Sequence, residues 1–173
     1  MSKSAANKVS PMQEPQHNQD WMFAITTEIG WLRVSGNDSL VNSIGFVFEQ
    51  PEADYGSGEL RDRAYQQLQR YLQDASTKLD LPHAADGSDF QKKIWQALEH
   101  IPSGKVLTYG QLAQQQGSSA RAVGGACRRN PLAVLVPCHR VVAAQGFGGY
   151  AGDTAGRNLQ VKQWLIRHEA HAG

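Results

Sequence analysis

The chain has 173 residues, 17 Lys and Arg against 16 Asp and Glu, and only two cysteines, so neither a uniformly basic nucleic-acid binder nor a disulfide framework is expected. No apolar run approaches the roughly 20 residues needed to span a bilayer, and the Met1-Ser2-Lys3-Ser4 start lacks the apolar stretch of a secretory signal, so a cytoplasmic location without membrane is expected. The near-zero charge is a sum of opposites: residues 1–89 carry 7 basic and 13 acidic side chains, residues 90–173 carry 10 and 3.

Residues 1–20 are polar and rich in Gln, Asn, Ser and Pro, which reads as a mobile tail. Three strand-like runs follow, WMFAITT from Trp21, GWLRVSG from Gly30 and SLVNSIGFVFE over 39–49, separated by Gly30 and Gly36-Asn37-Asp38. They predict a small antiparallel sheet. Leu60, Ala64, Leu68, Tyr71 and Leu72 recur at helical spacing and predict a helix over 59–74. Pro82 to Gly87 reads as a linker, dividing a scaffold domain over 21–85 from a second domain over 86–173.

The second half is mostly helical. Ser88 with Gln91 forms a capping-box pattern ahead of the buried stripe Phe90, Ile94, Leu98 and Ile101. Thr108 with Gln111 repeats that signature before a short helix stopping at Gly117, and Ser118 or Ser119 caps another helix reaching about Arg129. Two short helices joined at a Gly make a helix-turn-helix pattern. The second one, RAVGGACRR, carries Gly124 and Gly125 in its interior, where each Gly costs roughly 0.5–1 kcal/mol relative to Ala. Its smooth Ala/Gly face, flanked by Arg121, Arg128 and Arg129, suits close packing on a neighbouring helix or approach to a narrow DNA groove.

After Asn130-Pro131 comes the apolar run LAVLV, read as a buried strand, then Pro137-Cys138-His139-Arg140. Cys138 is either an inert small hydrophobe or a nucleophile whose thiolate its cationic neighbours favour. In an extended chain His139 and Cys138 would point oppositely, so direct attack geometry needs a bend or a water. A last helix over 157–170 has Val161, Trp164, Leu165 and His168 on its apolar face, and Glu169 borders that face. Glu169 is either exposed at a helix end or paired with His139, completing a nucleophile, base and orienting carboxylate. Neither the cysteine spacing nor the HEAH segment matches a metal site, and the Gly146–Tyr150 segment is no dinucleotide loop. No metal or cofactor is expected.

The segment RAVGGACRRNPLAVLVPCHRVV, preceded by GKVLTYGQLA and followed by GYAG and VKQWLIRHE, resembles the O6-alkylguanine-DNA alkyltransferases closely over 88–170 and loosely over 21–85. The resemblance implies an α+β fold, with a ribonuclease-H-like sheet and helix domain followed by a winged-helix-like domain carrying the helix-turn-helix. It implies an irreversible, single-turnover transfer of an alkyl group from O6-alkylguanine, with O4-alkylthymine a further candidate, after base flipping through the minor groove of double-stranded DNA. By the same resemblance Cys138 is the alkyl acceptor, His139 the base acting through a water, and Glu169 the carboxylate orienting it. Asn130 ties the turn after the recognition helix to the nucleophile segment, and Tyr109 turns the phosphate and protonates the leaving guanine. Arg121 replaces the flipped base, Gln91, Gly110, Ser118, Gly124, Gly125 and Arg128 meet DNA, and Val141, Val142, Tyr150 and Ala151 shape the base pocket. The expected protein is a cytoplasmic monomer, nucleoid-associated in a bacterium.

Two departures bear on pocket size. The turn Gly117-Ser118-Ser119 is shorter than in relatives with two more residues there, and residues 153–158 lengthen the link to the last helix. The competing readings are a non-catalytic damage sensor of the same fold, which lacks the acceptor cysteine, a Cys-His hydrolase, and a plain helix-turn-helix regulator.

Overall fold

The computed structural model describes residues 20–171; apart from Asp20, the expected tail over 1–20 lies outside the described residues. Three strands, β1 (Trp21–Thr27), β2 (Gly30–Gly36) and β3 (Val41–Val47), form an antiparallel sheet in the order β1-β2-β3. The first hairpin closes at Gly30, whose φ of +137° suits glycine, and a Cβ there would stand 2.6 Å from the Val47 carbonyl oxygen. Asn37 closes the second, its Oδ1 accepting from the backbone N–H groups of Ser39 and Leu40 at 2.9 and 3.0 Å. The third strand is shorter than the apolar run that announced it, because pairing with β2 stops at Trp31–Val47.

Both sheet edges are occupied. Met22 exchanges two 3.0 Å backbone hydrogen bonds with Tyr55 on the β1 side. On the β3 side Val41 N–H donates to Pro82 O, Ile44 N–H to Pro131 O and Ala133 N–H to Ile44 O, at 2.9 to 3.0 Å. The segment before Cys138 is thus hung on a sheet edge, which satisfies groups that would otherwise template association. One face of the sheet packs on α1 (Glu59–Gln73), burying Trp21, Phe23, Leu32 and Val34 against Leu60, Ala64, Leu68 and Tyr71. Each such apolar side chain contributes about 1.5–3 kcal/mol of burial.

The second half begins with α2 (Asp89–Glu99), whose Ser88–Gln91 capping box forms as its sequence predicts. A short strand β4 (Leu107–Thr108) leads into α3 (Tyr109–Gln116), capped by the Thr108–Gln111 box and ended by Gly117 at φ +63°. The next helix, α4 (Ala120–Arg128), is capped by Ser119, not Ser118. Trp95 Nε1 donates to Ala126 O at 2.9 Å and fixes α4 on α2. Strand β5 (Val141–Val142) pairs in parallel with β4, and α5 (Arg157–Ala170) closes the chain. The apolar core runs without a break from the sheet into these helices.

Two sequence readings need correction. The LAVLV run is not a strand: residues 131–137 form a tight buried loop, because Val136 N–H turns back to Leu132 O at 2.8 Å and Val134 sits at φ +72°. The buried face of α5 is Val161, Lys162, Leu165 and Glu169, while Trp164 and His168 are half-buried and stack on each other with ring centroids 5.0 Å apart.

Candidate active site

The loop after α4 is closed by one side chain. Asn130 Nδ2 donates to Val136 O at 2.7 Å, and its Oδ1 accepts from Leu132 N–H at 2.9 Å. A β-branched residue at positive φ, here Val134, is a true outlier that costs about 1–3 kcal/mol and persists only where its surroundings over-determine it. The Asn130 clasp and the β3 edge supply that constraint. The loop delivers Pro137 and then a 3-10 turn over Cys138–Arg140. Successive side chains on such a turn diverge by about 120° instead of the near 180° of a strand, which provides the bend that His139 needs beside Cys138.

Behind Cys138 lies a buried polar network. His139 is fully buried, and its Nε2 lies 2.9 Å from Glu169 Oε1. Arg140 Nε donates to Glu169 Oε2 at 2.9 Å and its Nη2 to Oε1 at 2.8 Å, while Nη1 donates to Ile101 O at 2.5 Å. Tyr71 from α1 donates its hydroxyl to Glu169 Oε1 at 2.7 Å. Burial alone would raise the Glu169 pKa, but the hydrogen bonds and charges of His139 and Arg140 outweigh it and hold the carboxyl well below its usual range. An ionised carboxylate only accepts, so the proton of this pair sits on His139 Nε2. Burial, with the charges of Arg140 and Lys162, lowers the His139 pKa despite Glu169. The imidazole is therefore neutral, and its Nδ1, which has no hydrogen-bond partner among the described residues, carries the lone pair of a base.

Cys138 opens onto a cavity of about 170 Å³ lined by Tyr109, Gly124, Cys127, Arg128 and the 149–154 loop, including Tyr150 and Ala151. A second cavity of about 130 Å³ meets it at Cys138 and extends toward Ile44 and Phe46 of β3. Burial raises the Cys138 pKa against the hydrogen bond from Asn130 and the charge of Lys162. The thiol thus rests protonated and needs a base at the moment of attack. The loop beside it turns tightly at Ala151 (φ +49°) and Gly152 (φ +88°), with Tyr150 and Asp153 exchanging backbone hydrogen bonds of 2.8 and 2.9 Å.

Lys162 holds this loop and is a residue that sequence reasoning passed over. Fully buried, its Nζ donates to Val141 O at 2.6 Å, Gly149 O at 2.9 Å and Tyr109 Oη at 3.4 Å. Burial lowers its pKa to about 8 against the opposing pull of Cys138 and Cys127. Its spacing of seven from Glu169 places both on one helix face, the signal that was available. Tyr109 donates its hydroxyl to Gly149 O at 3.3 Å, and burial with the two cysteines pushes its pKa up to about 12. Cys127 is the second thiol on the cavity wall, pushed up to about 12 by burial and Cys138.

The structure brings Cys138, Tyr109, Gly124, Arg128, Tyr150 and Ala151 to the first cavity and Asn130 to the second, with His139 and Glu169 buried outside both linings. Val141 and Val142 stand apart from its lining, in β5, where Val141 contributes its carbonyl to Lys162. Gln91 uses its side-chain oxygen in the α2 cap, accepting from Ser88 N–H at 2.9 Å. Gly110, Arg121, Gly125 and Arg128 are exposed and Ser118 half-exposed, while Val123, Ala126 and Cys127 point inward, so α4 shows solvent a face of glycine and arginine. Among the described residues no group of three or more His, Cys, Asp or Glu is arranged to hold a metal ion.

Residues 89–171 match the family model for the DNA-binding domain of 6-O-methylguanine DNA methyltransferase. A methylated-DNA–protein-cysteine methyltransferase of Methanosarcina acetivorans is 35% identical over 149 residues, 82% of this chain and 92% of that protein. One from Shigella flexneri is 48% identical over 94 residues, 53% of this chain and about half (52%) of that protein. The crystal structure of Mycobacterium tuberculosis O6-methylguanine methyltransferase superposes with a TM-score of 0.75 at 32% identity, covering 89% of this chain and 94% of that one. The same M. tuberculosis protein has been solved in complex with DNA, with a TM-score of 0.68, 32% identity and coverage of 87% and 92%. The α+β fold and the family match over 89–171 place the chain in the class of DNA-repair methyltransferases. With the Methanosarcina acetivorans protein matching 82% of it at 35% identity, this chain belongs to the methylated-DNA–protein-cysteine methyltransferase family.

Proposed function

We propose that this protein repairs DNA by direct reversal, moving the methyl group of O6-methylguanine irreversibly to Cys138, one group per molecule. The observation that carries the reading is the pairing of His139, the residue next to a cavity-facing Cys138: its Nε2–H is committed to an ionised Glu169, and its Nδ1 has no hydrogen-bond partner among the described residues.

A base stacked in duplex DNA is out of reach of a side chain, so the damaged guanine flips out at a cost of a few kcal/mol. The smooth exposed face of α4 lies in the minor groove, Arg121 fills the vacated stack, and Gly110, Ser118, Gly125, Arg128 and Gln91 border the duplex. The guanine enters the cavity between Tyr109, Tyr150 and Ala151, whose loop Lys162 ties to the Val141 carbonyl of β5. His139 Nδ1 takes the thiol proton through one water, and Sγ attacks the methyl carbon as the carbon–O6 bond breaks. Tyr109 gives its proton to the departing guanine, which leaves as a neutral base. The thioether left on Cys138 does not hydrolyse, and Cys127, protonated and on the wall, is no regenerating nucleophile. O4-alkylthymine is a second substrate of the same chemistry. The protein works as a monomer, in the cytoplasm or nucleoid, through a DNA-binding domain over 86–173 supported by the domain over 21–85.

Incubation with a duplex containing O6-methylguanine, followed by intact mass, tests this. Wild type gains one methyl group and Cys138→Ala none; a folded wild type of unchanged mass contradicts the reading.

A further inference from the structure

The acidic N-terminal half reaches the Glu169 carboxylate through the side chain of Tyr71. Tyr71, in the last two turns of α1, is 2% exposed and donates its hydroxyl to Glu169 Oε1 at 2.7 Å across a separation of 98 residues. The same oxygen receives His139 Nε2 at 2.9 Å and Arg140 Nη2 at 2.8 Å. The ring is held too: His168 Nε2 lies 2.7 Å from Tyr71 O, and its ring packs edge-on against the phenol at 5.4 Å. Arg140 already balances the charge of this carboxylate, and the phenol adds a further, neutral donor to the oxygen that supports His139.

We propose that Tyr71 is a positioning residue for the Cys138 reaction: its hydroxyl fixes the Glu169 carboxylate and withdraws charge from the oxygen that supports His139. This rests on the reading of Cys138, His139 and Glu169 as the transfer machinery. The physical consequence is a base held at moderate strength. With Tyr71 donating, part of the negative charge on Oε1 is spent on the phenol, and the imidazole stays neutral into mild acid. Without it, Oε1 attracts the imidazolium more strongly, His139 binds a proton at higher pH, and the base is lost sooner as the solution is acidified. The other charged or titratable groups facing this cluster are Arg140, Lys162, Cys138 and Tyr150, with His168 against Tyr71. Below pH 7 Lys162 stays protonated and the phenols and the Cys138 thiol neutral, so the acid limb reports removal of the thiol proton by His139, with His168→Phe as a control.

The test follows Cys138 alkylation by iodoacetamide between pH 4.5 and 8, read by mass on the Cys138 peptide, in wild type, Tyr71→Phe and a variant with 3-fluorotyrosine at 71. The fluorinated phenol keeps the shape and donates more strongly, so it remains informative if Tyr71→Phe fails to fold. Tyr71→Phe moves the acid limb up by roughly half a pH unit or more, and 3-fluorotyrosine moves it down. Superimposable limbs in every folded variant, even with lower stability, overturn the proposal and leave Tyr71 a packing residue. Methyl transfer by wild type on an O6-methylguanine duplex is measured alongside: its absence fails the functional reading, whereas the iodoacetamide limbs judge Tyr71 separately.

Discussion

The proton on His139 Nε2 organises the chemistry at the scale of single residues, and it has a consequence for stability. His139 is neutral in the folded protein but binds a proton below about 6.5 once unfolded, so folding is opposed increasingly as pH falls through that value. Glu169 is ionised when folded and protonates below about 4.5 when unfolded, so its contribution, complete above that pH, is lost as the solution is acidified further. The urea midpoint therefore declines below about pH 6.5 and more steeply below about 4.5; a level midpoint from pH 7 to 5 contradicts a neutral buried imidazole. Lys162 makes a second residue-scale prediction. Lys162→Met leaves the buried Val141 carbonyl without its donor and frees Gly149, so stability drops by about 1–3 kcal/mol in urea unfolding and the loop over 149–152 becomes protease-sensitive. Unchanged stability contradicts a clamp.

At the scale of elements, α4 carries a local cost for which the fold offers no packing reason. A Cβ at Gly125 meets nothing within 4 Å, so no neighbouring helix demands the glycine. Gly125→Ala is therefore expected to raise stability by about 0.5–1 kcal/mol while weakening duplex binding several-fold, measured by melting and by fluorescence anisotropy. Equal or tighter binding contradicts a minor-groove role for this face. Arg121→Ala slows reaction with duplex about tenfold more than reaction with free O6-methylguanine, since only the duplex requires flipping. The helices were legible because their ends are written in local chemistry: Ser88 with Gln91, Thr108 with Gln111, and Gly117 at positive φ all behave as their neighbours dictate. The loop over 131–137 was not, since its apolar run reads as a strand, and only the Asn130 clasp and the β3 edge turn it. Cys138, His139 and Glu169 stood out by residue type and motif. Lys162 and Tyr71 did not, because a lysine in a helix is ordinarily a solvated charge and a tyrosine at helical spacing is ordinarily core, and only tertiary packing gives them their partners.

For the whole molecule, the opening charge balance becomes a division of labour. The acidic half builds the sheet whose edge suspends the loop before Cys138, and its Tyr71 reaches the Glu169 carboxylate. The basic half presents exposed Arg121, Arg128 and Arg129 along and just after α4, and Arg128 lines the cavity onto which Cys138 opens. Duplex affinity accordingly falls as salt rises, through release of counterions from the phosphates those side chains meet; salt-independent affinity contradicts that footprint. The central claim is a single irreversible methylation of one sulfur. Peptide mapping after reaction with excess O6-methylguanine duplex tests it most directly: one methyl on the Cys138 peptide, none on the Cys127 peptide, and no further uptake from fresh duplex. Methyl on another residue, or continued turnover of the duplex without modified protein, contradicts it.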